Sequence, residues 1–152
     1  MPWYKWIDMP PVWLVAFIAL AKAQSVYASY GLSFGGPWAD LAAGLLIGGG
    51  LILLALAMIE MRKQRTTVIP HNEAAKLVTG GIFRRSRNPI YLGDALILAG
   101  FILRFDAVLA LPLLPLFVWI IERRFIVPEE NGLRRKFRAD FARYCQKTRR
   151  WV

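Results

Sequence analysis

Apolar and polar positions follow one another along this chain in long blocks. Two long apolar runs come first, at residues 12–30 and 38–61, and each is long enough to cross the ~30 Å hydrocarbon core of a bilayer as an α-helix. After a polar loop, two shorter runs follow at residues 90–103 and 107–121. Each has about 15 residues, fewer than the ~20 of a full crossing, so they predict a helical hairpin. Pro112 and Pro115 in the second run predict that the hairpin is kinked or crosses only part of the bilayer.

The C-terminal segment predicts an amphipathic helix. Leu133, Phe137, Phe141 and Tyr144 recur at steps of four, four and three, which places them on one face of an α-helix. Arginine and lysine occupy the other sides, which is typical of a helix at a membrane surface. We therefore predict an all-α integral membrane protein with two full transmembrane helices, a kinked helical hairpin and a C-terminal amphipathic cytoplasmic helix.

Length and composition agree with a small membrane domain. The 152 residues predict a single domain, and the 57% hydrophobic content is too high for an ordinary soluble one. Within it, residues 1–61 are predicted to form an N-terminal transmembrane pair, and residues 62–152 a core that binds a cofactor. Gly44 and Gly48 in the second run have the four-residue spacing that lets helices approach closely, which predicts a packing surface there.

The charge pattern predicts the topology. The formal net charge is +10, from 20 Lys and Arg against 10 Asp and Glu. A soluble protein with this charge would suggest nucleic-acid binding, but these charges lie between and after the apolar runs, as the positive-inside rule describes. Ten basic residues follow the last run, and residues 31–37 contain none. We therefore predict a multi-pass protein of the bacterial inner membrane with both termini in the cytoplasm.

The supply of metal-binding side chains is small. Cys145 is the single cysteine and His71 the single histidine, which excludes an intrachain disulfide framework and a cysteine-based zinc site. No metal is predicted.

The loop between the second and third apolar runs carries the first group of candidate residues. Gly80 and Gly81 permit a tight turn, and Asn88 and Pro89 are typical of the N-cap and first position of a helix. The N–H groups of such a first turn can bind an anion, with Arg87 as the charged partner. An ordinary capped helix start with juxtamembrane arginines has the same spacing, so both interpretations stay open.

Two acidic residues after Pro128 are the second group. Glu129 and Glu130 could stabilise a helix start through its dipole. Alternatively, Glu130 lies on the same face as Leu133 and Phe137, so a carboxylate at the mouth of the bundle would attract a cation. An anion site and a cation site together suit a zwitterionic ligand with additional positive charge, and S-adenosyl-L-methionine has this character.

Three motifs in this order resemble a known superfamily. Leu77-Val78-Thr79-Gly80, Arg87-Asn88-Pro89-Ile90-Tyr91 and Glu129-Glu130-Asn131-Gly132-Leu133 are similar to those of isoprenylcysteine carboxyl methyltransferases and phospholipid N-methyltransferases, in a short bacterial form. The resemblance covers residues 67–151 and implies S-adenosyl-L-methionine as cofactor. By position, it implies that the cofactor is bound by Lys76, Leu77, Val78, Phe83, Asn88, Pro89, Tyr91, Glu129 and Glu130.

The chain departs from the superfamily pattern at two of these positions and at Phe125. Phe83 stands where relatives have a tyrosine, so it can stack on a ring but cannot donate a hydrogen bond. Asn88 replaces a histidine, which removes a titratable group. Eukaryotic members have a substrate-contacting arginine where this chain has Phe125.

The resemblance implies methyl transfer to a lipophilic or membrane-embedded acceptor, by in-line displacement in a pocket at the cytoplasmic face. The enzyme would be similar to protein carboxyl O-methyltransferases, with a lipid, a prenylated substrate or a lipophilic small molecule as partner and no nucleic acid. Arg87 and His71 are the candidate catalytic residues, His71 as a base or, equally, as a plain loop histidine. An NADPH-dependent membrane reductase of related fold and a noncatalytic membrane protein are the alternatives.

Overall fold

The computed structural model describes residues 3–66 and 76–152, and within these ranges the regular structure is helical with no strand. The all-α prediction is therefore confirmed. The α-helices are, in chain order, α1 Trp3–Ile7, α2 Pro10–Tyr27, α3 Pro37–Lys63, α4 Pro89–Arg104, α5 Leu113–Ile121, α6 Val127–Phe137 and α7 Ala139–Lys147.

Helix α3 is the strongest candidate for a membrane span. It has 27 residues, and within the described ranges it is the one helix long and apolar enough to cross a bilayer. Only 17% of its most apolar window is buried by the rest of the chain. Leu45, Leu51 and Ile52 are among its large exposed side chains, whereas the core helix of a soluble protein would bury such residues.

The prediction of two full transmembrane helices is not confirmed. The first apolar run forms α2, but this helix has 18 residues and does not reach the hydropathy of a candidate span. Lys22, Gln24 and Ser25 near its C-terminal end lower its apolar character. Its buried side chains, Leu14 and Phe17 among them, join the main core with α4 and α5.

Helices α3 and α4 pack with their backbones in contact. A Cβ atom added at Gly50 would lie 2.6 Å from the carbonyl oxygen of Gly93, and one added at Gly100 would lie 2.9 Å from the carbonyl oxygen of Ala43. Any side chain at these positions would push the helices apart. Among residues 3–66 and 76–152, no atom lies within 4 Å of a Cβ added at Gly44 or Gly48, the predicted packing pair, so the prediction that they form a packing surface is wrong within this part of the chain.

The predicted hairpin is formed by α4 and α5, with a turn at Asp106, whose φ is 54°. The prolines do not kink its second arm. Pro112 lies at the N-cap of α5 and Pro115 in its first turn, where a missing N–H has no intrahelical acceptor to lose. The departure from α geometry comes later, where a π-helical segment, Glu122–Ile126, joins α5 to α6 without a break.

The predicted C-terminal amphipathic helix is divided in two. It breaks at Arg138, which has a φ of 47° and separates α6 from α7. All four residues of the predicted apolar face nevertheless share one small core with Ala57, Val78 and Phe83. The break turns α7 back toward the loop that precedes α4, and this brings the three motifs of the sequence analysis to one end of the bundle.

Candidate cofactor site

A cavity lies at the end of the bundle where the loop before α4 meets α6 and α7. Seven of the nine predicted cofactor-binding residues line it, together with Arg87. Pro89 and Tyr91 do not line it and are buried in the adjoining turn of α4. His71 lies outside the described residues. The full lining comprises Lys76, Leu77, Val78, Phe83, Arg87, Asn88, Glu129, Glu130, Leu133, Phe141 and Tyr144.

One wall is built by a glycine turn followed by the short 3-10 helix Gly81–Arg84. Gly81 has a φ of +57°, and a Cβ added there would lie 2.6 Å from Oε2 of Glu60 on α3. Both the left-handed backbone and the close carboxylate therefore require glycine. The turn directs Phe83 inward, where it is 8% exposed.

Helix α7 holds this wall in place. The Tyr144 hydroxyl donates a hydrogen bond of 2.6 Å to the carbonyl oxygen of Phe83, and Thr148 Oγ1 donates one of 3.3 Å to that of Arg84. Burial raises the pKa of the Tyr144 hydroxyl above its ordinary value, although the nearby positive charge of Arg87 opposes the rise. Tyr144 therefore stays protonated and remains a donor at neutral pH.

Glu130 is held by arginines of this chain. Its carboxylate, 6% exposed, accepts hydrogen bonds from Arg150 Nε at 3.1 Å and Nη2 at 2.8 Å, and Arg87 Nη2 lies 3.4 Å away. A buried carboxylate with two guanidinium partners is well satisfied. Glu130 thus lines the cavity mainly as an anchor for the arginines around it.

Arg150 is a residue that the sequence interpretation missed. Besides Glu130, its Nη1 donates to Glu122 Oε1 at 3.0 Å, and the Trp151 indole N–H donates to the same oxygen at 3.2 Å. Partial burial works to raise the pKa of Glu122, but these two hydrogen bonds and the charge of Arg150 outweigh it, so the pKa is lowered. Glu122 is therefore ionised at neutral pH.

Asn88 has a different role from the predicted cap. It lies at the N-cap position of α4, but its side chain makes no capping hydrogen bond. Its Nδ2 instead donates to the carbonyl oxygen of Arg150 at 2.9 Å, and the backbone N–H of Arg87 donates to that of Arg149 at 3.0 Å. The C-terminal segment is thus fastened across the start of α4.

Tyr91 supports Glu129 from behind the cavity. Its hydroxyl donates a 2.6 Å hydrogen bond to Glu129 Oε1. Its ring stacks on Phe125, with the ring centroids 6.4 Å apart. Tyr91 is 7% exposed, so it orients the Glu129 carboxylate without facing the cavity itself.

The cavity combines both signs of charge with apolar walls. Glu129 and Glu130 are acidic, Lys76 and Arg87 are basic, and Phe83, Leu133 and Phe141 are among the apolar residues. The Nε atom of Arg87 is buried and has no hydrogen-bond partner among the described residues, so its N–H can donate a hydrogen bond to a ligand oxygen. The described residues contain no cluster of three or more His, Cys, Asp or Glu that could hold a metal ion. This lining fits a ligand with a flat apolar part and both charges, as S-adenosyl-L-methionine has.

Three further lining residues, which were not among the predicted cofactor-binding residues, belong to the predicted apolar face of the C-terminal helix: Leu133, Phe141 and Tyr144. Their helical spacing was the available signal, and the break at Arg138 is what turns that face partly toward the cavity.

Comparison with known proteins gives one result. The phospholipid methyltransferase family model matches residues 38–140, which run from the first turn of α3 into α7 and cover more than half of the chain. No curated protein and no solved structure matches the sequence significantly.

Proposed function

The chain belongs to the phospholipid methyltransferase family, and we propose that it transfers the methyl group of S-adenosyl-L-methionine to a lipophilic acceptor in the membrane. Methyltransferases of this family use this cofactor and act on membrane-associated substrates. The observation that carries the proposal for this chain is the cavity, in which Glu129, oriented by Tyr91, shares the lining with Arg87 and Lys76.

The charged lining residues would divide the polar end of the cofactor between them. Arg87 and Lys76 would bind its carboxylate, and Glu129 would bind its positively charged end. Phe83 and Phe141 would pack on the flat ring. Glu130 would act indirectly, because Arg150 and Arg87 already satisfy its carboxylate.

Bound by Arg87, Lys76 and Glu129, the cofactor would supply a methyl group on a positively charged sulfur, so that a nucleophile on the acceptor could bond to the methyl carbon in line with the sulfur as leaving group. The residues of this chain align the reactants and exclude water, and no nucleophilic side chain is needed. We assign Arg87 to binding and charge balance. A role for His71 as a base stays a prediction from the sequence.

Topology is part of the proposal. Helix α3 would cross the bilayer, with α2 as a second pass and the α4–α5 hairpin entering part of it. The basic residues that surround the cavity would then face the cytoplasm with both termini. A lipophilic acceptor would reach the cavity from the membrane, and it could be a carboxylate or an amine.

Ligand-dependent thermal stability tests this function. S-adenosylhomocysteine at about 100 times its Kd should stabilise the purified protein by about 2.7 kcal/mol, and NADPH should not. Glu129→Gln should weaken this binding, whereas Asp140→Asn should not, because Asp140 is exposed and pairs with Arg143 away from the cavity. A shift with NADPH alone would favour the reductase and refute the methyltransferase.

A further inference from the structure

Arg150 holds a buried carboxylate at the edge of the cavity without lining the cavity itself. Its Nε lies 3.1 Å from both carboxylate oxygens of Glu130, and its Nη2 donates a hydrogen bond of 2.8 Å to Oε2. Its Nη1 donates to Glu122 Oε1 at 3.0 Å. Every nitrogen of the Arg150 guanidinium therefore has a carboxylate partner within the chain.

Arg87 is the arginine that lines the cavity, and its own partners are weaker. Its Nη2 lies 3.4 Å from Glu130 Oε1, farther than the ~2.7–2.9 Å of a charged hydrogen bond. Its Nη1 contacts the sulfur of Cys145, which is a weak acceptor. Its Nε is buried and has no hydrogen-bond partner among residues 3–66 and 76–152. A buried donor without a partner is costly, so Arg87 keeps the capacity to bind an anionic group of a ligand.

The two arginines share one carboxylate. Glu130 is 6% exposed, and a carboxylate in such a place needs a positive partner with good hydrogen-bond geometry. Arg150 supplies that geometry, and Arg87 stays at the longer distance. Without the Arg150 guanidinium, the ion-pair partner of Glu130 among the described residues is Arg87. Glu130 would then draw Arg87 into a close pair and away from a ligand.

The main chain of the C-terminal segment places Arg150 beside Arg87. The backbone N–H of Arg87 donates to the carbonyl oxygen of Arg149 at 3.0 Å, and Asn88 Nδ2 donates to that of Arg150 at 2.9 Å. Thr148 Oγ1 also donates to the carbonyl oxygen of Arg84 at 3.3 Å. These bonds fasten the segment that carries Arg150 to the segment that carries Arg87. The fold therefore sets the spacing of the two guanidinium groups before a ligand binds.

We propose that Arg150 is a positioning residue for ligand selectivity, which neutralises Glu130 and thereby keeps Arg87 available for the carboxylate of the cofactor. This inference rests on the proposed function. Arg150 acts through Arg87 and does not touch the ligand. Its removal should therefore weaken recognition of the carboxylate and leave recognition of the adenosine and ammonium groups unchanged.

The test compares two ligands by isothermal titration calorimetry with the full-length protein in one detergent. The ligands are S-adenosylhomocysteine and its decarboxylated analogue, which keeps the adenosine and the ammonium group. We expect wild type to prefer S-adenosylhomocysteine by about tenfold or more, the size of one charged hydrogen bond. Arg150→Met should lose most of that preference by binding S-adenosylhomocysteine more weakly, and it should bind the analogue as wild type does. Arg143→Met is the control and should bind both ligands as wild type does, because Arg143 is exposed and pairs with Asp140.

A double variant, Glu130→Gln with Arg150→Met, separates positioning from damage to the fold. A neutral amide does not draw Arg87 away, so the double variant should recover most of the affinity for S-adenosylhomocysteine. Loss of stability alone would instead weaken the binding of both ligands alike. Should Arg150→Met not fold, Arg150→Lys takes its place. A single ammonium cannot form the paired hydrogen bonds to Glu130, so the same selective loss is expected at a smaller size.

Four results would overturn the inference. They are a wild type that binds both ligands equally, an Arg150 variant with wild-type affinity for S-adenosylhomocysteine, an equal loss for both ligands, and a double variant that binds no better than Arg150→Met. Absence of S-adenosylhomocysteine binding to wild type would instead refute the proposed function.

Discussion

Replacing Arg150 by methionine should destabilise the protein through Glu130. The Arg150 guanidinium donates two hydrogen bonds to the Glu130 carboxylate, and a third, from Nη1, goes to Glu122 at 3.0 Å. Glu130 is 6% exposed in this fold, and without the Arg150 guanidinium its ion-pair partner among the described residues is Arg87, with Nη2 at 3.4 Å. The carboxylate would then be poorly compensated in a buried site.

The magnitude follows from the exposure of the two partners. Breaking a fully buried ion pair by removing one side chain costs about 3–5 kcal/mol. The Arg150 side chain is 36% exposed and Arg87 remains, so screening and the second partner lower the expected cost to about 2 kcal/mol. For a chain of this size that free energy corresponds to a fall in Tm of about 4–8 °C.

Thermal unfolding followed by far-UV circular dichroism measures this change, with detergent, pH and protein concentration held constant. Arg149→Met is the matched control, because the Arg149 side chain is exposed. Its hydrogen bond with the backbone N–H of Arg87 is accepted by its backbone carbonyl oxygen, which the substitution keeps. Replacing Glu130 and Arg150 together by methionine should recover only part of the loss, since the buried carboxylate is then absent but Arg87, whose side chain is 14% exposed, loses Glu130 as its ion-pair partner. If Arg150→Met and Arg149→Met unfold at the same temperature, the ion-pair reasoning is refuted.

Two further predictions concern the turn and the acid stability. Gly81→Ala should lower stability by about 1–2 kcal/mol, because alanine is strained at a positive φ and its Cβ would meet the Glu60 carboxylate. Gly132→Ala should not, because a Cβ added there meets no atom of the described residues within 4 Å beyond its own stretch of helix; equal unfolding temperatures of the two variants would contradict this. The lowered pKa of Glu122 predicts stability that is fully present above its ordinary value of 4.5 and is lost as the pH falls through its lower folded value. Tm measured from pH 7 to pH 3 should therefore fall at the acid end, and less so in Glu122→Gln; the same acid slope in both proteins would count against the Arg150–Glu122 pairing.

The positions of the helices, and whether each is apolar or amphipathic, could be predicted from the sequence because the signals are local. The apolar run at 38–61 became α3, Pro89 begins α4, and Asp106 lies in the turn of the hairpin. Helix propensity, proline geometry and apolar periodicity depend on a few residues that are close in sequence. They can therefore be recognised without knowing the tertiary contacts.

The motif residues illustrate how far this reasoning reaches into the site. Most of the predicted cofactor residues do line one cavity, although Leu77 and Glu129 are more than 50 positions apart. Resemblance to a superfamily predicted that grouping, and spacing alone left it open. Neither could tell that Tyr91 stands behind the cavity and holds Glu129 rather than lining it.

The glycines of α3 show why packing partners were harder to predict. Gly44 and Gly48 have the spacing of a packing motif, but it is Gly50 that touches α4. Several faces of an apolar helix can accept a neighbour, and the choice depends on where the small residues of the partner, Gly93 and Gly100, fall when the hairpin docks.

By itself, the sequence determined that this is an all-α chain with a hairpin and a basic C-terminal segment whose apolar face repeats at helical spacing, and of its two predicted membrane spans the structure supports the one at α3. Only the tertiary structure decided how the helices of that segment pack and which of their side chains line the cavity. The break at Arg138 and the pairing of Glu130 with Arg150 depend on how segments that are apart in the chain pack together. Apolar periodicity predicts on which face of a helix a side chain lies. Whether a buried charged group has a hydrogen-bond or ion-pair partner depends on which residues of other segments pack against that face.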